Sequence, residues 1–286
     1  MKKILLTILK IGVSGAAIYW VLSNVDIYEI FTYVMSADYV YLCMALMAYI
    51  ISQVISAERI NVLYRTIPLK MPFVEVVRLY WLGMFYNFFL PGGVGGDGYK
   101  VYYLKKHYEC GVKRVVSLLL SDRVSGLVAI VIYILFLTST LVSDLPIICQ
   151  DYVWIGIPFA VLGYYAVVYV ICRSTLGESW KVLAYSMVIQ GLQMFAAMFI
   201  ALGLGCDAAH LSNYVFLFFI SSIASAIPIS IAGIGLREAT FAIGSQYLSV
   251  DDGLAVALSI VFYFTSLVAS MPGITYMLKP EWIKKH

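Results

Sequence analysis

Long apolar runs recur along this chain, near residues 4–22, 39–57, 115–141, 152–172, 180–203 and 254–278. Each is long enough to cross a hydrocarbon core, which takes about 20 helical residues. The chain is 62% hydrophobic and only 12% charged, and a soluble domain of this size has no interior large enough to hide so much apolar surface. The expected class is an all-α polytopic membrane protein. Met1-Lys2-Lys3 followed by an apolar run without a small-residue cleavage site reads as a first membrane helix with a basic flank, rather than a removed signal peptide.

Two further segments, near 73–108 and 212–250, are apolar but broken in the middle, and the breaks match. The first reads Pro91-Gly92-Gly93-Val94-Gly95-Gly96-Asp97-Gly98-Tyr99-Lys100. The second reads Pro228-Ile229-Ser230-Ile231-Ala232-Gly233-Ile234-Gly235-Leu236-Arg237. Counted from each proline, a small residue, two glycines and a cation fall at the same places. Paired Gly/Pro interruptions in corresponding halves of a membrane protein point to a transport site.

Charge gives the topology, because Lys and Arg concentrate on the cytoplasmic side. Lys2, Lys3 and Lys10 place the N-terminus inside. Loop 23–38 has Asp26, Glu29 and Asp38 without a cation and belongs outside. Arg59, Arg65, Lys70 and Arg78 mark 58–78 as inside, and Lys100, Lys105, Lys106, Lys113 and Arg114 mark 100–114 as inside too. Two consecutive inside loops cannot flank one crossing, so 73–108 is expected to enter from the cytoplasm, turn at its glycines and return. In the second half, Asp144, Asp151, Asp207, His210, Asp251 and Asp252 mark outside loops, while Arg173 and Lys181 mark an inside one. Segment 212–250 then becomes a hairpin entering from the outer face. Lys279, Lys284 and Lys285 place the C-terminus inside.

The expectation is two inverted repeats, 1–142 and 143–286, each of three transmembrane helices plus one re-entrant hairpin. The alternative is eight simple transmembrane helices, which leaves the basic cluster at 100–114 outside. The expected location is the cell membrane, crossed many times, with both termini cytoplasmic.

Of the 19 Lys and Arg residues, Arg123 and Arg237 alone lie away from termini, inside loops and hairpin edges. Each has an acid beside it, Asp122 and Glu238. Charges at membrane depth face a protein interior or an aqueous cavity, and adjacent helical residues do not face each other, so each doublet is expected to find partners on other elements. Two readings compete. Arg123, Arg237 and Lys100 line a cavity for an anionic headgroup, since arginine can grip phosphate through two parallel hydrogen bonds. Alternatively, they form internal salt bridges holding the hairpins to the bundle. The glycines Gly92, Gly93, Gly95, Gly96, Gly233 and Gly235 permit tight hairpin packing, or expose helix N-termini suited to phosphate. Asp97 and Glu238 read as helix caps or as protonatable coupling groups. Gln190 and Gln193 read as interhelical hydrogen-bonding residues or headgroup contacts, and Glu58-Arg59 as a structural interfacial doublet.

Several classes find no support. No HExxH, nucleophile elbow or Walker lysine appears, so neither an enzyme nor a cofactor is expected. The five scattered cysteines include no CxxC pair, so no metal site is expected. No basic patch interleaved with aromatics suggests nucleic acid.

Phe88–Gly98, Ser121-Asp122-Arg123-Val124-Ser125-Gly126 and Pro228–Ala239 together resemble the flippase-like membrane region of the lysylphosphatidylglycerol synthases, over nearly the whole chain. The resemblance implies movement of a lipid between leaflets, with Pro91, Gly92, Gly93, Gly95, Gly96, Asp97, Asp122, Arg123, Pro228, Gly233, Gly235, Arg237 and Glu238 as the matching positions. Full-length synthases also carry a soluble catalytic domain, which is not expected within these 286 residues, so aminoacyl transfer is not implied. The expected partners are membrane lipids with a phosphate headgroup, whether anionic or aminoacylated phospholipids or polyprenyl-phosphate-linked lipids. A second copy of the chain and an envelope-lipid biosynthetic enzyme stand as candidate protein partners. Alternatives to a flippase are a non-transporting membrane partner of such an enzyme and a small-solute or ion transporter.

Overall fold

The structure is a computed structural model describing residues 12, 15–69, 71–89, 95–138, 147–226 and 235–283. Among these residues it is helical, without strands. In chain order the helices are α1 (residues 15–24), α2 (Ile27–Met35), α3 (Tyr39–Tyr64), α4 (Phe73–Phe89), α5 (Gly95–Tyr108) and α6 (Val112–Thr138). They continue with α7 (Ile147–Ile171), α8 (Ser179–Gly203), α9 (Leu211–Ala226), α10 (Leu236–Tyr247), α11 (Asp252–Ser270) and α12 (Gly273–Leu278). A 3-10 turn, Arg173–Glu178, leads into α8.

Among the described residues six stretches are long and apolar enough to cross a membrane: Tyr39–Tyr64, Val112–Thr138, Trp154–Ile171, Arg173–Gly203, Ala208–Ala226 and Asp252–Ser270. The sequence assigned five of these as crossings; the first expected run, 4–22, falls mostly outside the described residues. Ala208–Ala226 also meets the measure, although the sequence assigned it to a hairpin limb. The last run is shorter than expected. α11 stops at Ser270 because Pro272, without an N–H, cannot continue its ladder, and α12 starts afresh after it. Conversely α3 runs past residue 57 to Tyr64, carrying Glu58 and Arg59 into the helix. Aspartates start several helices by accepting the free N–H groups of the first turn: Asp26 from Tyr28, Asp38 from Val40 and Asp251 from Leu254.

The apolar core has two parts. One includes Ala45 of α3, Ile130 and Leu137 of α6 and Ala196, Ala197, Ile200 and Ala201 of α8, with α9, α10 and the first half of α11. The other includes Ile60, Val62, Leu63 and Tyr64 of α3, Val115, Leu118 and Leu119 of α6 and Val182 of α8, with α4 and α5. Reading along α3, α6 and α8, these are opposite ends of the bundle. Between them lies a waist of buried polar residues: Ser52, Gln53, Ser56 and Arg59 on α3, Ser121 and Ser125 on α6, Ser186 and Gln190 on α8.

Each end holds one antiparallel helix pair. In α4–α5 the paired residues converge on the segment between them: Glu75 bonds Tyr108 and Tyr103, Gly83 abuts Gly96 and Lys100, and Tyr86 meets Tyr99. In α9–α10, Asn213 bonds the Leu248 carbonyl, Leu217 abuts Gly244, and Ser225 meets Arg237. The contacts between elements are also balanced. α3 crosses α8; α4 lies on α3 and α11, while α9 lies on α8 and α6; α5 touches α6, and α10 touches α11.

Candidate functional site

The polar waist is centred on Arg59. Its Nε lies 2.8 Å from Asp122 Oδ1, and its Nη2 donates to Oδ2 at 3.0 Å, a two-pronged ion pair between α3 and α6. Nη1 donates to Ser186 Oγ on α8 at 2.9 Å, and Ser186 Oγ lies 2.9 Å from Ser125 Oγ. Gly126 leaves the space that Arg59 Nη1 and Gln190 Nε2 approach; a Cβ there would lie 3.4 Å from the former and 4.0 Å from the latter. The sequence reading took Arg59 for an interfacial doublet and missed this role. The signal was present: Ser52, Ser56 and Arg59 recur at helical spacing on an apolar helix, so they share a face.

Beside this centre stands the start of α5. Asp97 Oδ2 accepts from Arg123 of α6, Nη2 at 2.6 Å and Nε at 2.7 Å, while Oδ1 faces buried Lys100 at 3.3 Å. Lys100 Nζ also lies 4.9 Å from the Tyr80 ring centre, and Tyr80 donates its hydroxyl to Gln53 at 3.1 Å. Asp97 was expected chiefly as a helix cap. Instead its two oxygens serve two cations, because α6 brings Arg123 within reach of the first turn of α5. Gly95 opens that helix, partly buried. Gly96 packs its backbone directly on Gly83 of α4, where any Cβ would collide with main chain, and its N–H donates to Asn87 Oδ1 at 2.9 Å.

The second hairpin is arranged otherwise. Gly235, at φ 85°, turns the chain into α10, a left-handed conformation that glycine adopts freely. Glu238 reaches back to accept the Gly235 N–H at 2.7 Å, and its other oxygen accepts from Ser259 of α11 at 3.0 Å. The guanidinium of Arg237 lies over Phe262 of α11, 5.4 Å from the ring centre, with Ser225 Oγ 3.5 Å from Nη2. Among the described residues no carboxylate pairs with Arg237. Phe88, at the inner end of α4, meets Tyr263 with ring centres 5.4 Å apart, so both hairpins converge on one stretch of α11.

The structure therefore brings Asp97, Lys100 and Arg123 together, puts Asp122 on Arg59, and holds Gly235, Arg237 and Glu238 against α11. Pro91, Gly92, Gly93, Pro228 and Gly233 lie outside the described residues. Gln190 is buried at the waist, and Gln193 is on the same helix, half-buried. No cluster of three or more His, Cys, Asp or Glu among the described residues has the makings of a metal site.

A family model described as "Lysylphosphatidylglycerol synthase TM region" matches residues 7–175 and 171–273. The chain is also similar to the UPF0104 membrane protein PH1989 of Pyrococcus horikoshii, with 28% identity over 137 residues. That stretch is 47% of this chain and 40% of the relative, so the match spans well under half of the relative's length.

Proposed function

This chain belongs to the lysylphosphatidylglycerol synthase transmembrane-region family, and from that premise we propose that it moves a lipid with a phosphate-bearing headgroup between membrane leaflets. The observation that carries this reading is the arrangement of the two hairpins. They pack into opposite ends of a bundle with membrane-spanning helices; Lys100 of the first reaches the buried polar waist through Tyr80 and Gln53, and both hairpins meet one stretch of α11. A polar interior in a membrane bundle marks a pathway more readily than a source of stability.

On this reading residues 1–142 and 143–286 are inverted repeats with both termini cytoplasmic, and the hairpins are re-entrant. Exchanging the halves at the spacing that separates Pro91 from Pro228 supports it. Gln53 goes to Gln190 and Lys100 to Arg237, and the contact between Tyr49 and Phe262 goes to the contact between Ser186 and Ser125. Rocking one repeat against the other opens the waist to each side in turn, while acyl chains remain in lipid.

Arg237 is the headgroup ligand in this scheme. It is the cation at a hairpin break that has no carboxylate among the described residues, and its planar fork suits two phosphate oxygens at once. Asp97, Lys100 and Arg123 instead hold the first hairpin on α6. The test is movement of fluorescent phosphatidylglycerol across proteoliposomes. Arg237→Ala should abolish it in protein that still folds and melts cooperatively. Undiminished movement at equal protein content would refute the headgroup role.

A further inference from the structure

A cavity of about 650 Å³ opens between the end of α3, the 3-10 turn and the start of α8. None of its lining takes part in the polar waist or the hairpin contacts described above, although Glu58 and Tyr185 adjoin Arg59 and Ser186 of the waist. Two carboxylates, Glu58 and Glu178, and two cations, Arg65 and Lys181, face it together with the Tyr185 ring. Thr66 and Ser174 add hydroxyls.

We propose that this cavity receives a sugar or polyol headgroup at the basic end of the bundle, before the headgroup enters the waist; the proposal rests on the lipid-translocation reading and names the class of lipid. Charge balance is the first reason. Two acids oppose a bare phosphate, two bases oppose a bare cation, and the four charged side chains on the wall disfavour an acyl chain. A hydroxyl both donates and accepts, so a hydroxyl-rich neutral group satisfies both kinds of wall residue at once. Size is the second reason. At about 650 Å³ it falls in the ordinary range for small-molecule pockets, far more than a bare phosphate fills.

The ion pairs at the wall are also easily opened. Arg65 lies 3.9 Å from Glu58, and Lys181 lies 2.7 Å from Glu178, with all four side chains substantially in contact with the surroundings. Exposed pairs of this kind hold weakly, so hydroxyls can replace them. Asn61 donates to the other Glu58 oxygen at 3.0 Å and keeps that carboxylate in place.

The experiment uses the full chain in nanodiscs containing equal amounts of phosphatidic acid, phosphatidylethanolamine and phosphatidylinositol, with the retained lipids identified by native mass spectrometry. Phosphatidylinositol, which joins a hydroxyl-rich ring to the phosphate that the translocation reading requires, should be enriched several-fold over the other two. The Glu58→Gln/Glu178→Gln variant should lose most of that enrichment with its melting curve unchanged; Lys181→Gln serves the same purpose if the double variant does not fold. Equal retention of the three lipids would overturn the proposal. So would enrichment of phosphatidylethanolamine that the same variants remove, which makes the cavity a site for a phosphate–ammonium pair. Displacement by excess free inositol would assign it to a soluble polyol and overturn the lipid source. Arg237-dependent movement of lipid without phosphatidylinositol enrichment would sink this proposal alone. Variant-sensitive enrichment without any lipid movement would sink the translocation reading alone.

Discussion

The two hairpins have similar shapes, but their cations are held differently. In α4–α5, Lys100 is buried on Asp97, which also binds Arg123 of α6, so the hairpin is tied to the bundle by charge. In α9–α10, Arg237 rests on an aromatic face and a serine, and the neighbouring Glu238 is taken up by the Gly235 N–H and Ser259. Their open ends differ too. Glu75 accepts hydroxyls from Tyr103 and Tyr108 at 2.7 and 2.8 Å, whereas the second hairpin is closed by Asn213 on the Leu248 carbonyl and by Tyr214 against the Asp251 backbone. Similar sequence breaks have thus acquired separate duties. One anchors its hairpin by charge, and the other seats its cation on an aromatic ring and a serine, with no carboxylate in ion-pair contact among the described residues.

The contact of Gly96 with Gly83 gives the sharpest way to break the first hairpin. Gly96→Ala should lower stability by about 3 kcal/mol, because backbone must move to admit the methyl group. Gly98→Ala, exposed with open space around it, should be neutral or stabilising by up to ~1 kcal/mol. Thermal melts in detergent compare the two. Asp97→Ala leaves buried Lys100 without its carboxylate, an expected loss of about 2–3 kcal/mol, below the full range for buried pairs because Arg123 is partly exposed. Arg237→Ala should change stability by only about 1 kcal/mol, the scale of a cation–π contact. Equal losses in these two variants would erase the distinction between the hairpins. Tyr103→Phe removes one hydroxyl from Glu75 and should lower stability by about 1.5 kcal/mol.

The smallest effect concerns α2, outside the membrane-spanning helices. Asp251 first, then burial, then Asp26 and Asp252 push the Glu29 carboxyl above its ordinary range. A carboxyl whose pKa is raised on folding is neutral in both states at low pH, and its ionised form disfavours folding as pH rises through the raised value. Glu29→Gln should therefore match the parent below about pH 4 and melt slightly higher near neutrality, by less than ~0.5 kcal/mol for so exposed a group. Identical melts at both pH values would remove this repulsion.

Much of the architecture was legible in the sequence. Apolar run length located the membrane-spanning helices, because hydrocarbon thickness fixes helix length. The matched breaks picked out the two segments that fold as antiparallel pairs. The expectation that each acid–base doublet seeks partners on other elements also holds: Asp122 finds Arg59, Arg123 finds Asp97, and Glu238 finds Ser259. What the sequence hid was pairing across distance. Arg59 looks interfacial because it stands near a basic loop; only the extension of α3 to Tyr64 and its crossing with α6 and α8 bring it to Asp122. Asp97 looks like a cap because it begins a helix, and nothing local reveals that Arg123 will reach it. The cavity beside Glu58 and Glu178 was equally hidden, since its walls come from residues more than a hundred positions apart whose charges read locally as surface pairs.

The opposed entry of the two hairpins is most directly tested by one-sided cysteine labelling in sealed vesicles, using a cysteine-free background. Val74→Cys and Lys106→Cys stand at the open end of α4–α5, and His210→Cys and Gln246→Cys at that of α9–α10; all four positions are exposed. The expected result is that Val74→Cys and Lys106→Cys label from the face that also labels Lys279→Cys, and His210→Cys and Gln246→Cys only from the other. Labelling of Val74→Cys and Lys106→Cys from opposite faces would make α4–α5 a crossing and contradict the account.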